Sequence, residues 1–160
     1  MPNLTELSAT VGRLLKDQNA TIAVTESSTA GLISAALLAV PGASAYYLGG
    51  SVVYTLTSRR KLLGIRREDV DGLEPLTEAM TAVFAQKVRA QFEATWSIAE
   101  LGVAGPTGAR YGHPPGISVL AVDGPRSLTA VVDTGSADRE ENMWTFTRNA
   151  MGLLEQALSQ

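Results

Sequence analysis

Segments of helical and strand periodicity alternate along this chain, and that alternation is the strongest constraint on its fold. Leu4, Leu7, Val11, Leu14 and Leu15 recur at helical spacing over residues 4–17, with Asn3 placed to cap and Glu6 in a capping-box relation to it. Residues 21–25 (TIAVT) are rich in β-branched side chains and predict a short central strand. A polar loop, Glu26-Ser27-Ser28-Thr29-Ala30-Gly31, leads into a helix predicted over residues 32–39. Thr57 stands where it can cap a short helix that ends at Leu63 and stops at Gly64, and residues 66–73 read as a further helical turn. Thr77 caps a long helix whose apolar side is Met80, Val83, Phe84, Val88 and Phe92. Residues 96–103 read as a strand, in which Glu100 is oddly placed and must lie at an edge or be paired. Residues 117–122 and 128–133 predict a hairpin turning at Asp123-Gly124-Pro125. Met143, Phe146, Ala150, Leu153, Leu154 and Leu158 mark the buried side of a last helix. The order predicts an α/β fold, a three-layer α/β/α sandwich with a mixed, mostly parallel sheet, as one domain over residues 1–160.

The chemistry-bearing residues concentrate in three places. In residues 41–61, Pro41-Gly42 ends a helix and Ser44 follows on the turn. Gly49-Gly50 permits close approach of another backbone or a ligand. Val52, Val53 and Tyr54 read as a buried strand ending in a phenol, with Arg59, Arg60 and Lys61 beyond it. A hydroxyl, a phenol and a cation in one short segment could hold an anionic or amide-bearing small molecule; the plainer reading is a turn, a core strand and a solvated basic face. The loop at residues 26–31 opens a helix, whose free N–H groups can take an anion or a carboxamide. There Glu26 would orient a ligand hydroxyl or bind a loop N–H; the plainer reading is that Ser27 or Thr29 caps the helix and Glu26 is solvated. The Gly- and Pro-rich loop at residues 104–116 follows a strand, as crevice-lining loops of α/β sheets do, and lacks the Gly-Lys-Ser/Thr ending of a phosphate loop. Arg139 could reach an anion in that crevice or lie on the surface.

Composition narrows the chemistry. The chain has no cysteine and one histidine, His113, which excludes a thiolate nucleophile and a multi-histidine zinc site. His113 sits in a Gly-His-Pro-Pro context that reads as an exposed turn rather than part of a Ser-His-Asp triad. A net charge of −3 does not favour a nucleic-acid surface, although a local basic patch can bind phosphate. With no basic-then-apolar leader and no apolar run long enough to span a bilayer, the expectation is a cytoplasmic protein with no membrane partner.

Four segments together resemble one family: Thr25 to Gly31, Pro41 to Tyr47, Gly50 to Tyr54, and Gly102-Val103-Ala104-Gly105-Pro106 with the later Pro114-x-Gly116. Their order and spacing are similar to those of the CinA C-terminal domain, over essentially the whole chain. The CinA N-terminal domain, linked to nucleotide pyrophosphatase chemistry, is not expected among these residues. The resemblance implies hydrolysis of the carboxamide of nicotinamide mononucleotide (NMN) to nicotinic acid mononucleotide and ammonia, with no metal and no cofactor, in a homo-oligomer. It implies Ser44 as nucleophile, with Tyr54 and Arg59 as the other catalytic positions. It places Glu26, Ser27, Thr29, Gly31, Gly42, Gly50, Gly105 and Arg139 around the substrate.

The chain departs from the family pattern at several of these points. Arg59 stands where the family has a lysine, which keeps the charge but removes the base, because a guanidinium stays protonated. Leu101 replaces a small hydroxyl residue, Ser28 a cysteine, Ala30 a glycine and His113 a lysine. Three readings follow: an amidohydrolase with its base displaced, a nucleotide-binding protein without turnover, or an interaction protein with a vestigial pocket.

Overall fold

The computed structural model of the chain describes residues 3–110 and 112–160. Helix α1 (Leu4–Asp17) precedes strand β1 (Ile22–Glu26), helix α2 (Leu32–Leu38), a 3-10 turn (Ala43–Ala45) and strand β2 (Tyr47–Val52). Helix α3 (Leu56–Leu63), a second 3-10 turn (Arg67–Asp69) and helix α4 (Glu78–Phe92) follow. Strands β3 (Trp96–Val103), β4 (Ile117–Asp123) and β5 (Leu128–Asp133) lead to helix α5 (Arg139–Ser159). The five strands form one sheet in the order β2-β1-β3-β4-β5. β2, β1 and β3 are mutually parallel, and β4 runs against β3 and β5, so β4 alone opposes the common direction.

Side-chain alternation assigns the two faces. Ile22, Val24, Trp96, Ile98, Leu120 and Val122 point to the face covered by α1, α2 and α5. Ala23, Ala99, Leu101 and Ala121 point to the other face, beneath Phe84, Ala85 and Val88 of α4. Burying Phe84 and Val88 contributes about 1.5–3 kcal/mol each, which fixes α4 across the sheet. The result is the predicted three-layer sandwich.

Caps set the helix starts. The Asn3 Oδ1 accepts from the N–H groups of Thr5 and Glu6 and so makes its half of the expected box. Thr77 caps α4 as expected, accepting from the Met80 N–H. The short helix differs: Thr55, not Thr57, caps α3, in a reciprocal box with Ser58. The segment before it also differs. Residues 52–54 are not a buried strand, because β2 is an edge strand; Val52 and Tyr54 are exposed and only Val53 is buried. Gly50 is needed there for proximity, since a Cβ would lie 2.4 Å from the Val24 carbonyl oxygen.

Candidate active site

A crevice of about 580 Å³ opens past the ends of β1, β2 and β3, where their parallel arrangement directs the loops. Its walls carry Ser27 and Ser28 after β1, Tyr54 after β2 and Arg59 from α3. The Gly105 and Arg110 loop and the Arg139 side chain complete it. No Asp or Glu belongs to the wall among the described residues, so three guanidiniums set its charge. Each of two arginines is anchored. Arg139 donates to the Gly105 carbonyl, and its second terminal nitrogen donates to the Tyr54 hydroxyl at 3.2 Å. The Arg59 Nε donates to the Val53 carbonyl at 3.2 Å, and its guanidinium lies 5.3 Å from the Phe84 ring centre.

Two fully buried carboxylates stand behind this wall, on the α2 side of the sheet. Glu26 accepts from the N–H groups of Gly31, Ile33 and Ser34 and from the hydroxyls of Thr29 and Ser34. It therefore occupies the N-terminus of α2 as that helix's own anion. Glu100, from the central strand β3, holds the loop between β1 and α2. Its Oε2 accepts from the N–H groups of Ser27 at 2.9 Å and Thr29 at 3.1 Å, and from the Thr29 hydroxyl. Its Oε1 accepts from the hydroxyls of Ser28 and Ser118. Burial pushes the Glu100 carboxyl above its ordinary value, against the opposing pull of these donors, and the charge of Glu26 pushes it the same way.

The model of the CinA C-terminal domain matches residues 4–158. This chain belongs to the CinA C-terminal domain family. A CinA-like protein from Desulforapulum autotrophicum is 34% identical over 92% of this chain and 35% of its own length. One from a Synechococcus strain is 40% identical over 74% of this chain and 28% of its own length. The chain thus spans about a third of the curated relatives it matches. A crystal structure of a CinA superfamily protein from Klebsiella pneumoniae superposes with a TM-score of 0.90 at 28% identity, covering 99% of both chains. The competence/damage inducible protein of Agrobacterium tumefaciens gives 0.89 at 27% identity, covering 100% of this chain and 98% of that one.

Within this CinA fold the expected site residues separate into two groups. Ser27, Tyr54, Arg59, Gly105 and Arg139 meet in the crevice. Ser44 does not join them. It is exposed on the 3-10 turn before β2, while Tyr54 lies after that strand's far end, so about 17 Å of extended chain separates the two ends. Gly42 shares that remote turn, near the Lys16 ammonium. Gly50 packs on Val24, and Thr29 and Gly31 hydrogen-bond to Glu26 rather than forming the crevice wall. The α2 terminus expected to receive a ligand is already filled by Glu26, which binds N–H groups there and, being fully buried, is not the solvated acid of the plainer reading.

The sequence names Ser28 only as a departure from the family pattern, and it gives no sign of Arg110 or of the role of Glu100 in the site. The signal for Glu100 was present as an acid inside an apolar strand; its partners come from β1's loop and β4, which no local pattern reveals. Tyr111, within the loop of residues 104–116, lies outside the described residues.

Proposed function

We propose that this CinA-like chain is an amidohydrolase that cleaves the carboxamide of NMN, giving nicotinic acid mononucleotide and ammonia. One observation supports this above the others: three arginines and two serine hydroxyls meet in a nucleotide-sized crevice whose described wall has no acidic residue. The guanidiniums suit the substrate phosphate, since Arg forms paired bonds to phosphate oxygens. Backbone N–H groups of the surrounding loops are candidate donors to the oxyanion that forms when the carboxamide is attacked. With Ser44 remote, an attacking oxygen from the same chain comes from the crevice wall, where Ser27 and Ser28 lie.

The test is ammonia release from NMN in a coupled assay. The expected result is a saturable rate above the blank, with Arg139→Ala raising KM about tenfold or more through loss of a charged contact worth roughly 1.5–3 kcal/mol. A rate equal to the blank would reject turnover.

A second reading is favoured by Arg59 alone, which cannot act as the base that a lysine supplies. In that case the crevice binds nucleotides without cleaving them, and calorimetry with NMN gives a binding isotherm while the ammonia assay stays flat.

A further inference from the structure

We propose that Ser28 and Glu100 form the nucleophile–base pair of this crevice, Glu100 taking the Ser28 proton. The proposal rests on the amidohydrolase reading for its substrate class, the carboxamide of a phosphate-bearing compound. Its geometry stands on its own.

Ser28 belongs to the crevice wall and its hydroxyl donates to the Glu100 Oε1. Ser27 shares the wall but reaches Glu100 through its N–H at 2.9 Å, not through its hydroxyl. The two carboxylate oxygens are also unlike. Oε2 is held by two backbone N–H groups, which can only donate. Among the described residues Oε1 accepts only from the hydroxyls of Ser28 and Ser118, and a hydroxyl can turn from donating to accepting. A proton arriving on Oε1 therefore displaces no obligatory donor, and Ser118 can accept from it.

Space for this contact is reserved by Gly102, where a Cβ would fall 2.4 Å from the Ser28 Oγ and 2.6 Å from the Glu100 Oε1. Among the described residues the charged neighbour of Glu100 is Glu26 on β1; the donors from the loop and from β4 are neutral. Among the described residues no cation pairs with the acid, and burial raises its proton affinity above that of an ordinary carboxylate, the direction that suits a base.

The chemistry balances without a co-reactant other than water. The Ser28 Oγ bonds to the carboxamide carbon as its O–H bond breaks and the proton passes to Oε1. The C–N bond then breaks and Glu100 returns that proton to the departing nitrogen, which leaves as ammonia. Water attacks the Ser28 ester, giving its proton to Glu100. The ester C–O bond breaks to release the carboxylic acid product, and Glu100 reprotonates the Ser28 oxygen.

The experiment compares the full chain with Glu100→Gln and Ser28→Ala, using NMN hydrolysis and labelling by a fluorophosphonate, with the labelled peptide mapped by mass spectrometry. Glutamine can keep Oε2's role and donate from its nitrogen to Ser28 and Ser118, so Glu100→Gln is expected to fold; a thermal melt checks this. The expected result is a fall in kcat of about 10²–10⁴ for Glu100→Gln with little change in KM, and loss of the acid limb of the pH–rate profile. Fluorophosphonate is expected on Ser28 in the wild type and not in either variant.

Full hydrolysis by Ser28→Ala would overturn the pair while leaving the amidohydrolase reading intact, and would do so more pointedly if Ser44→Ala were inactive. Glu100-dependent labelling of Ser28 without NMN hydrolysis would keep the pair and reject the substrate. Neither hydrolysis nor labelling would reject both.

Discussion

At the scale of single residues, the two buried glutamates show that one residue type in one cavity can do separate work. Glu26, itself fully buried, satisfies three N–H groups at the start of α2 and two hydroxyls. Removing it takes the side-chain acceptor from the three N–H groups, a loss on the order of 3–5 kcal/mol. Urea unfolding of Glu26→Ala near neutral pH is expected to show that drop. A change within about 0.5 kcal/mol of wild type, the usual range for surface substitutions, would mean the anchoring role is misassigned. Glu100 sits beside it, and the Thr29 hydroxyl reaches both acids, at 2.7 and 3.1 Å. One hydroxyl hydrogen cannot fully serve two carboxylates at once. A strand pattern identifies Glu100 as out of place but not what it meets.

At the scale of elements, the start of α5 decides where Arg139 points. Asn142, one turn into that helix and fully buried, donates to the Ala104 carbonyl at 2.8 Å and to the Ser136 carbonyl at 2.9 Å. It accepts from the Thr134 hydroxyl at 2.6 Å. These bonds tie α5 to the loop after β3, which carries Gly105, the acceptor for Arg139. Asn142→Ala is expected to cost about 1–3 kcal/mol in stability by orphaning the two carbonyls. It should also raise KM for NMN more than it lowers kcat, because it frees the end of the helix that aims the guanidinium. Steady-state kinetics beside a denaturation curve checks this; an unchanged KM in a destabilised protein would assign Asn142 to the fold alone. The Asp138 cap on the same helix accepts from the Glu141 N–H, a contact within one turn, whereas the Asn142 brace has no local sequence signature. A cap speaks to residues three positions away; the brace joins the loop after β3 to the loop after β5.

At the scale of the whole molecule, the buried acid behind the crevice makes stability depend on pH. The native pKa of Glu100 is raised from an ordinary 4.5. The native state therefore holds this proton more tightly than the unfolded chain does. The resulting stabilisation is fully present below the ordinary value and is lost as pH rises through the raised one. Glu100→Gln cannot titrate there. Its unfolding free energy relative to wild type is expected to increase from about pH 4.5 upward, measured by chemical denaturation across the pH series. A difference that stays flat with pH would show that Glu100 has the same proton affinity folded and unfolded. The architecture itself was readable at this scale: alternation predicted the three layers, and the β4–β5 hairpin accounts for the one strand that opposes the rest.

The sequence by itself determined the elements, the Asn3 and Thr77 caps and the loops that border the crevice. Periodicity and capping act over three or four residues, so the information lies within each segment. Only the tertiary structure decided which end of the sheet each group occupies. Ser44 and Tyr54 are close in the chain, yet the rigid length of β2 holds them at opposite ends, and Val52 is exposed because no strand lies beyond β2. The parallel register of β1 and β3 likewise brings Glu100 beneath Ser28 and leaves Gly102 as the gap between them. Such contacts depend on strand order, which side-chain spacing along one segment does not encode.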